Sequence, residues 1–83
     1  MSSMAAILQA RFNAIPRSAD NYCFVTQLDE FLSTCRKLCA VSAYEDPRSC
    51  DSTIFFSFDD GSRLDVENPK QTVYPALAKV NSP

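Results

Sequence analysis

Four cysteines are the side chains of this 83-residue chain best suited to site chemistry. Cys35 and Cys39 are four residues apart, so on one helix both sulfurs could reach one metal ion, with Cys23 and Cys50 completing four thiolate ligands. The usual zinc signature has two close pairs on turns, whereas here one pair is close and it lies in an apolar stripe. We therefore expect no metal or cofactor and four reduced thiols packed as small hydrophobic side chains. A four-cysteine zinc protein or a thiol protein is the alternative. A disulfide between Cys23 and Cys50 is also geometrically possible.

Histidine is absent, and Gly61 is the single glycine. Histidine-based acid–base catalysis and histidine metal ligation are therefore excluded, as are glycine-rich loops that bind phosphate. A cysteine nucleophile would lack its usual histidine base. The composition thus predicts a protein that is not an enzyme and has no catalytic residues.

Asp59 and Asp60 form a pair of adjacent carboxylates, a type that can bind metal or act in acid–base chemistry. Adjacent acids before a glycine are more typical of a turn. The flanking segments alternate apolar and polar residues, which predicts a β-hairpin whose turn ends on Gly61 in a left-handed conformation. The apolar positions, which we expect to face the helices, are Ile54, Phe56, Phe58, Leu64 and Val66.

Two further segments have helical spacing. Apolar residues at 28, 31, 32, 35, 38 and 39 predict an amphipathic helix from Thr26, its expected N-cap, to Val41. Residues 3–15 predict a shorter helix that ends before Pro16, with a strand as the competing interpretation. The first 19 residues also contain two arginines and no acid, which is typical of an organelle transit peptide as well.

The remaining segments are less regular. Residues 42–52 are predicted to form a loop, and residues 73–80 either a last strand or a short helix from Pro75. Because a two-stranded sheet is thin, we expect a third strand from Tyr22–Val25, from Val73–Leu77 or from a partner. The predicted fold is α+β, a small single domain over residues 1–83. Two amphipathic helices pack on one face of a short antiparallel sheet built around the hairpin of the C-terminal half.

Charge is unevenly distributed along the chain. Residues 45–67 contain seven acids and two bases, a net charge of −5, whereas the whole chain carries −2. This segment is predicted to form an acidic lobe that attracts a basic surface of a larger protein; a solvated face that keeps the protein soluble is the alternative. Phe55 alternates with the core positions and should point outward as an interface anchor, unless the C-terminal segment covers it. The predicted partner-binding residues are Phe55, Asp59, Asp60, Arg63, Asp65 and Glu67.

These features together favour a non-enzymatic protein–protein interaction module that inhibits or modulates a larger complex, including one that handles nucleic acid. In size, acidity and lack of motifs the chain resembles small phage-encoded inhibitors of host defence, anti-CRISPR proteins among them, a likeness of general character that rests on no motif. It implies a cytoplasmic location in the host cell. No direct nucleic-acid binding and no membrane span are expected. The alternative is a small structural subunit or a homo-oligomeric assembly protein, such as a homodimer.

Overall fold

The computed structural model describes residues 2–45 and 52–81, with the backbone alone for 42–45. The predicted N-terminal helix is confirmed as α1, Met4–Asn13. The side chain of Ser3 caps it by accepting a hydrogen bond from the Ala6 N–H at 3.1 Å. The buried side of α1 is formed by Ala5, Leu8 and Phe12, which are three and four residues apart, so the strand interpretation of this segment is wrong.

The second helix, α2, spans Val25–Leu38 and is shorter than the predicted helix. Thr26 lies inside it, and Phe24 is the N-cap without a side-chain hydrogen bond, so the predicted Thr26 cap is wrong. The helix ends early because Cys39 is extended, at ψ 148°, and the Ala40 N–H donates to the Ser57 carbonyl at 2.8 Å. Pairing with the sheet therefore replaces the last predicted helical turn.

The sheet has four antiparallel strands in the order β1-β2-β3-β4. Its centre is the predicted hairpin, β2 (Thr53–Ser57) and β3 (Arg63–Glu67), in which Ile54 is opposite Val66 and Phe56 is opposite Leu64. The hairpin turn closes through hydrogen bonds from the Phe58 N–H to the Ser62 carbonyl and from the Gly61 N–H to the Phe58 carbonyl, each 3.0 Å. Gly61 has φ +85°, the left-handed conformation predicted for it.

One edge strand corrects a prediction, and the other decides between two predicted alternatives. Strand β1, Val41–Glu45, lies in a region predicted to be helix end and loop, and the rest of that predicted loop, 46–51, lies outside the described residues. Strand β4, Leu77–Val80, confirms a last strand and excludes the short helix from Pro75. The third strand expected from Tyr22–Val25 is absent from the described sheet.

The backbone of Tyr22–Val25 has partners outside the sheet, among them the side chain of Gln71. The Gln71 side chain accepts hydrogen bonds from the backbone N–H of Cys23 at 2.8 Å and of Ala76 at 3.3 Å, and donates one to the Cys23 carbonyl at 3.1 Å. Both backbone groups of Cys23 are thus paired with an amide side chain, which takes the place of a neighbouring strand. Gln71 itself has φ +52°.

Both helices lie on one side of the sheet, and α1 packs against β3, β4 and α2. The rings of Phe12 and Phe31 join the helices edge to face, with centroids 5.3 Å apart. No helix in the described chain is long and apolar enough to cross a membrane. The described residues form the predicted α+β fold, and their core consists of Ala5, Leu8, Phe12, Cys23, Leu28, Phe31, Leu32, Cys35, Ile54, Phe56, Phe58, Leu64, Val66, Ala76 and Ala78.

Candidate protein-binding face

The side of the sheet away from the helices, here called the outer face, carries most of the predicted site residues. Residues directly opposite each other in neighbouring strands have their side chains on the same face of the sheet. The strand register therefore shows which alternate residues of each strand form the outer face. Its central side chains are half-buried, and those on the edge strands are exposed. The outer face comprises Val41 of β1; Thr53, Phe55 and Ser57 of β2; Arg63, Asp65 and Glu67 of β3; and Leu77 and Lys79 of β4.

Phe55 lies near the middle of the outer face, directly opposite Asp65. The Arg63 guanidinium is 5.1 Å from the centroid of the Phe55 ring, a cation–π contact. The Nε of Arg63 also donates to Oδ1 of Asp65 at 3.0 Å, and Oδ2 of Asp65 accepts from Nδ2 of Asn81 at 3.0 Å. The Phe55 ring is therefore flanked by Arg63. Asp65, the ion-pair partner of Arg63, is held in place by a second hydrogen bond from Asn81.

The described C-terminal strand lies within the sheet layer rather than over Phe55, where the alternative interpretation placed the C-terminal segment. Strand β4 pairs with β3 and so continues the same layer on the far side of β3. Phe55 is half-buried and lies on the side of β2 opposite the core residues, the orientation predicted from the alternation.

The described part of the outer face is electrically balanced. Lys79 of β4 forms a 2.9 Å salt bridge with Glu67, as Arg63 does with Asp65. The two acids are thus matched by two bases, one of which comes from outside the acidic segment of the sequence. Three further acids of that segment, at positions 45, 46 and 51, have side chains outside the described residues. The part of the predicted acidic lobe that lies on the outer face is therefore of mixed charge where its side chains are described, whereas Asp59 and Asp60 lie in the hairpin turn.

Asp60 has a structural role that the turn prediction did not include. Its Oδ2 accepts from the Met4 N–H at 2.7 Å, and its Oδ1 accepts from both the backbone N–H and the hydroxyl of Ser62. The Ser62 hydroxyl oxygen accepts from the Ala5 N–H at 3.1 Å. The hairpin turn therefore caps the first turn of α1, where the helix dipole also favours a negative charge.

The pKa of Asp60 is lowered by the bond from the Met4 N–H and then by those from Ser62. Asp59, next to it, is exposed and has no bonded partner among the described residues. The two adjacent acids thus differ: Asp60 stabilises the fold, and Asp59 is accessible to a partner.

No protein-family model matches this chain, and neither curated proteins nor solved structures show significant similarity to it.

The three described cysteines are free thiols. Burial raises the pKa of Cys23, and burial followed by the neighbouring Cys39 raises that of Cys35 to about 12. Cys23 and Cys35 are thus poor nucleophiles and poor metal ligands at neutral pH. The described residues contain no group of three side chains placed to hold a metal ion. Cys50, and with it the Cys23–Cys50 disulfide, lies outside the described residues.

Sequence reasoning missed the contribution of β4 to the outer face. Leu77 is 43 % exposed, whereas Ala78 is 8 % exposed, so the strand alternates as β2 and β3 do. The alternation of residues 77 to 80 indicated a strand. A segment of only four residues that follows a proline is, however, equally compatible with a short helix. Only the pairing with β3 places Leu77 and Lys79 beside the predicted residues.

Proposed function

We propose that this chain is a non-enzymatic binding module that docks the outer face of its sheet on a larger protein and so inhibits or modulates it. The observation that carries the proposal is Phe55, an aromatic side chain near the centre of the outer face. The ring is flanked by Arg63 and Asp65 and is covered by no helix or strand of the described chain. Aromatic and arginine side chains near the centre of a surface are the usual binding hot spots.

The geometry also supports binding because the face is preorganised. Arg63 is held by Asp65 and the Phe55 ring, and Glu67 is held by Lys79. Side chains already fixed in one arrangement lose less conformational entropy when a partner binds. Binding to this face also leaves the core untouched, since Ile54 and Phe56 point to its other side.

The proposed partner has a basic or mixed surface. Balanced charges on the outer face favour a partner with both signs of charge opposite Arg63, Asp65, Glu67 and Lys79. The surplus acids of residues 45–67 and the chain's net charge of −2 add attraction for positive potential. Such potential is found on proteins that hold nucleic acid, so an inhibitor in the style of small phage-encoded anti-defence proteins, acting in the host cytoplasm, is the specific form of this proposal.

The test is affinity capture from source or host lysate with two charge-reversed variants of equal net charge. Asp59→Lys with Glu67→Lys changes the hairpin, and Asp20→Lys with Glu30→Lys changes exposed acids elsewhere. Asp60 is left intact because its reversal would remove a cap of α1. We expect the hairpin variant to lose a partner that the wild type and the control retain, and added salt to weaken wild-type binding.

Both variants must first give the wild-type circular dichroism spectrum and melting temperature. A partner held equally by the hairpin variant and the wild type, at low and at moderate salt, would refute the proposed docking face. A partner lost equally by both variants would show that net charge, and not the outer face, determines binding.

A further inference from the structure

The two edges of the sheet differ in how their backbone groups are paired. In the central hairpin the Phe58 N–H donates to the Ser62 carbonyl, and the Asn68 N–H donates to the Ser52 carbonyl. Even-numbered residues of β2 therefore bond toward β3, and odd-numbered residues bond toward β1. Their partners in register on β1 are the odd-numbered residues 41, 43 and 45. The N–H and carbonyl groups of Ser42 and Tyr44 consequently point away from the sheet.

Strand β4, at the other edge, is protected. Odd-numbered residues of β3 bond toward β4, and Glu67 and Asp65 are opposite residues 77 and 79. The backbone groups of Ala78 and Val80 therefore point away from the sheet. The Ala78 carbonyl accepts from Nε2 of Gln9 at 3.2 Å, and α1 packs along this strand. Within residues 2–45 and 52–81 no equivalent bond reaches the outward groups of β1. An edge of this kind is a template for another strand.

The outward groups of β1 are complementary to themselves. In an antiparallel pair of two β1 strands centred on Ala43, Ser42 of each copy is opposite Tyr44 of the other. Each of these two pairs exchanges two N–H···O=C bonds, which satisfies every outward donor and acceptor of residues 42–44. Position 45, a glutamate, is then opposite Val41 rather than another acid, so the register avoids like charges directly opposite each other.

We propose that β1 pairs with β1 of a second copy of this chain, around a two-fold axis at Ala43, and joins two four-stranded sheets into one of eight strands. Because β4 is blocked by Gln9, the second copy presents no further open edge and assembly stops at the dimer. This surface is distinct from the outer face, so the dimer does not depend on the proposed function.

The first test is the solution mass of the full chain over about a hundredfold range of concentration, measured by analytical ultracentrifugation. We expect the mass to rise with concentration toward twice 9.2 kDa. Backbone N-methylation of Tyr44 should lower the association constant by at least about tenfold, since it removes an outward donor in each of the two pairs. N-methylation of Val80, on the protected edge, is the matched control and should leave the mass curve unchanged. Both chains can be assembled by ligation at Cys39.

The second test determines the register of the pair of β1 strands by disulfide cross-linking. It uses a chain in which Cys39→Ser and Cys50→Ser remove two other cysteines. Ala43 is opposite its own copy in a non-hydrogen-bonded pair, where Cα atoms are about 4.5 Å apart, within the range of a disulfide. Ala43→Cys should therefore form a disulfide-linked dimer under mild oxidation. Val41→Cys and Glu45→Cys should cross-link when mixed with each other and not when alone.

Each outcome decides the proposal. A mass of one chain at every concentration would overturn it. So would a dimer that Tyr44 N-methylation leaves intact and Ala43→Cys does not cross-link, because that dimer would use another surface. A concentration-dependent dimer with the predicted cross-linking pattern would establish the β1 interface even if the outer face binds nothing.

Discussion

The two faces of the central hairpin are built from alternate residues of the same ten positions, yet they have opposite properties. On the helix side, Ile54, Phe56, Leu64 and Val66 are at most 1 % exposed. On the outer face, Phe55 and its neighbours are half-buried and held by ion pairs and a cation–π contact. The period of two in a strand thus separates the residues that stabilise the core from those of the proposed binding face.

This separation implies that the outer face can change with little cost to the fold, whereas the inner face cannot. It also gives an internal control for each experiment, because a residue on one face has a close chemical match on the other. The following variants test that division, from the largest expected effect to the smallest.

Truncation of the two adjacent phenylalanines should have very different effects on stability. Phe56→Ala leaves a cavity in the core and should lower the free energy of unfolding by about 3–5 kcal/mol. Phe55→Ala loses only partial burial and the Arg63 contact, and should cost about 1 kcal/mol or less. Urea unfolding of both variants measures the difference, and equal losses would contradict the assignment of the two faces.

Two serines on either side of the hairpin turn should also differ. Ser62→Ala removes the acceptor of the Ala5 N–H and a bonded partner of Asp60, and should cost about 1–2 kcal/mol of unfolding free energy. Ser57→Ala, on the outer face, should change it by about 0.5 kcal/mol or less. The same urea measurement applies, and a neutral Ser62→Ala would show that the turn does not cap α1.

The Asp60 cap should appear in the pH dependence of stability. The pKa of Asp60 is lower in the folded state than its ordinary value of 3.8, so the unfolded chain binds the proton more tightly. The stabilisation is therefore complete above that value and is lost as the pH falls through the folded pKa. Asp60→Asn should flatten the acid side of the urea-midpoint curve. Asp59→Asn is the control, and an identical flattening there would contradict the special role of Asp60.

The salt bridge between Lys79 and Glu67 should contribute least to stability. The Lys79 side chain is 64 % exposed and that of Glu67 is 35 % exposed, so water and salt screen the pair. Lys79→Ala should change the free energy of unfolding by about 0.5 kcal/mol or less, with the difference shrinking as salt is added. A loss above about 2 kcal/mol would show that the outer face is part of the structural core instead.

Local patterns were sufficient to predict the strongest elements. The alternation around Asp59 and Gly61 predicted the hairpin and its inner face, and helical spacing with Ser3 and Pro16 predicted α1. These elements could be predicted because residues close in sequence determine both the conformation and the buried side.

The errors occurred where distant residues determine the structure. Val41–Glu45 forms a strand because Thr53–Ser57 offers a free edge, and Cys23 stays out of the sheet because Gln71 bonds both its backbone groups. Lys79 lies outside the acidic segment of the sequence, yet strand pairing brings it to Glu67 and changes the charge of the face. The candidate site was thus predicted in its hairpin residues and missed in its β4 residues.

The most direct test of the binding face compares Phe55→Ala with Phe24→Ala in one capture experiment. Phe24 is 50 % exposed at the start of α2 and belongs to no strand, so it matches the aromatic truncation without being a residue of the outer face. If Phe55 anchors the partner, both variants fold as the wild type does and only Phe55→Ala loses the captured partner. Retention of the partner by Phe55→Ala, or its loss from Phe24→Ala alone, would contradict it.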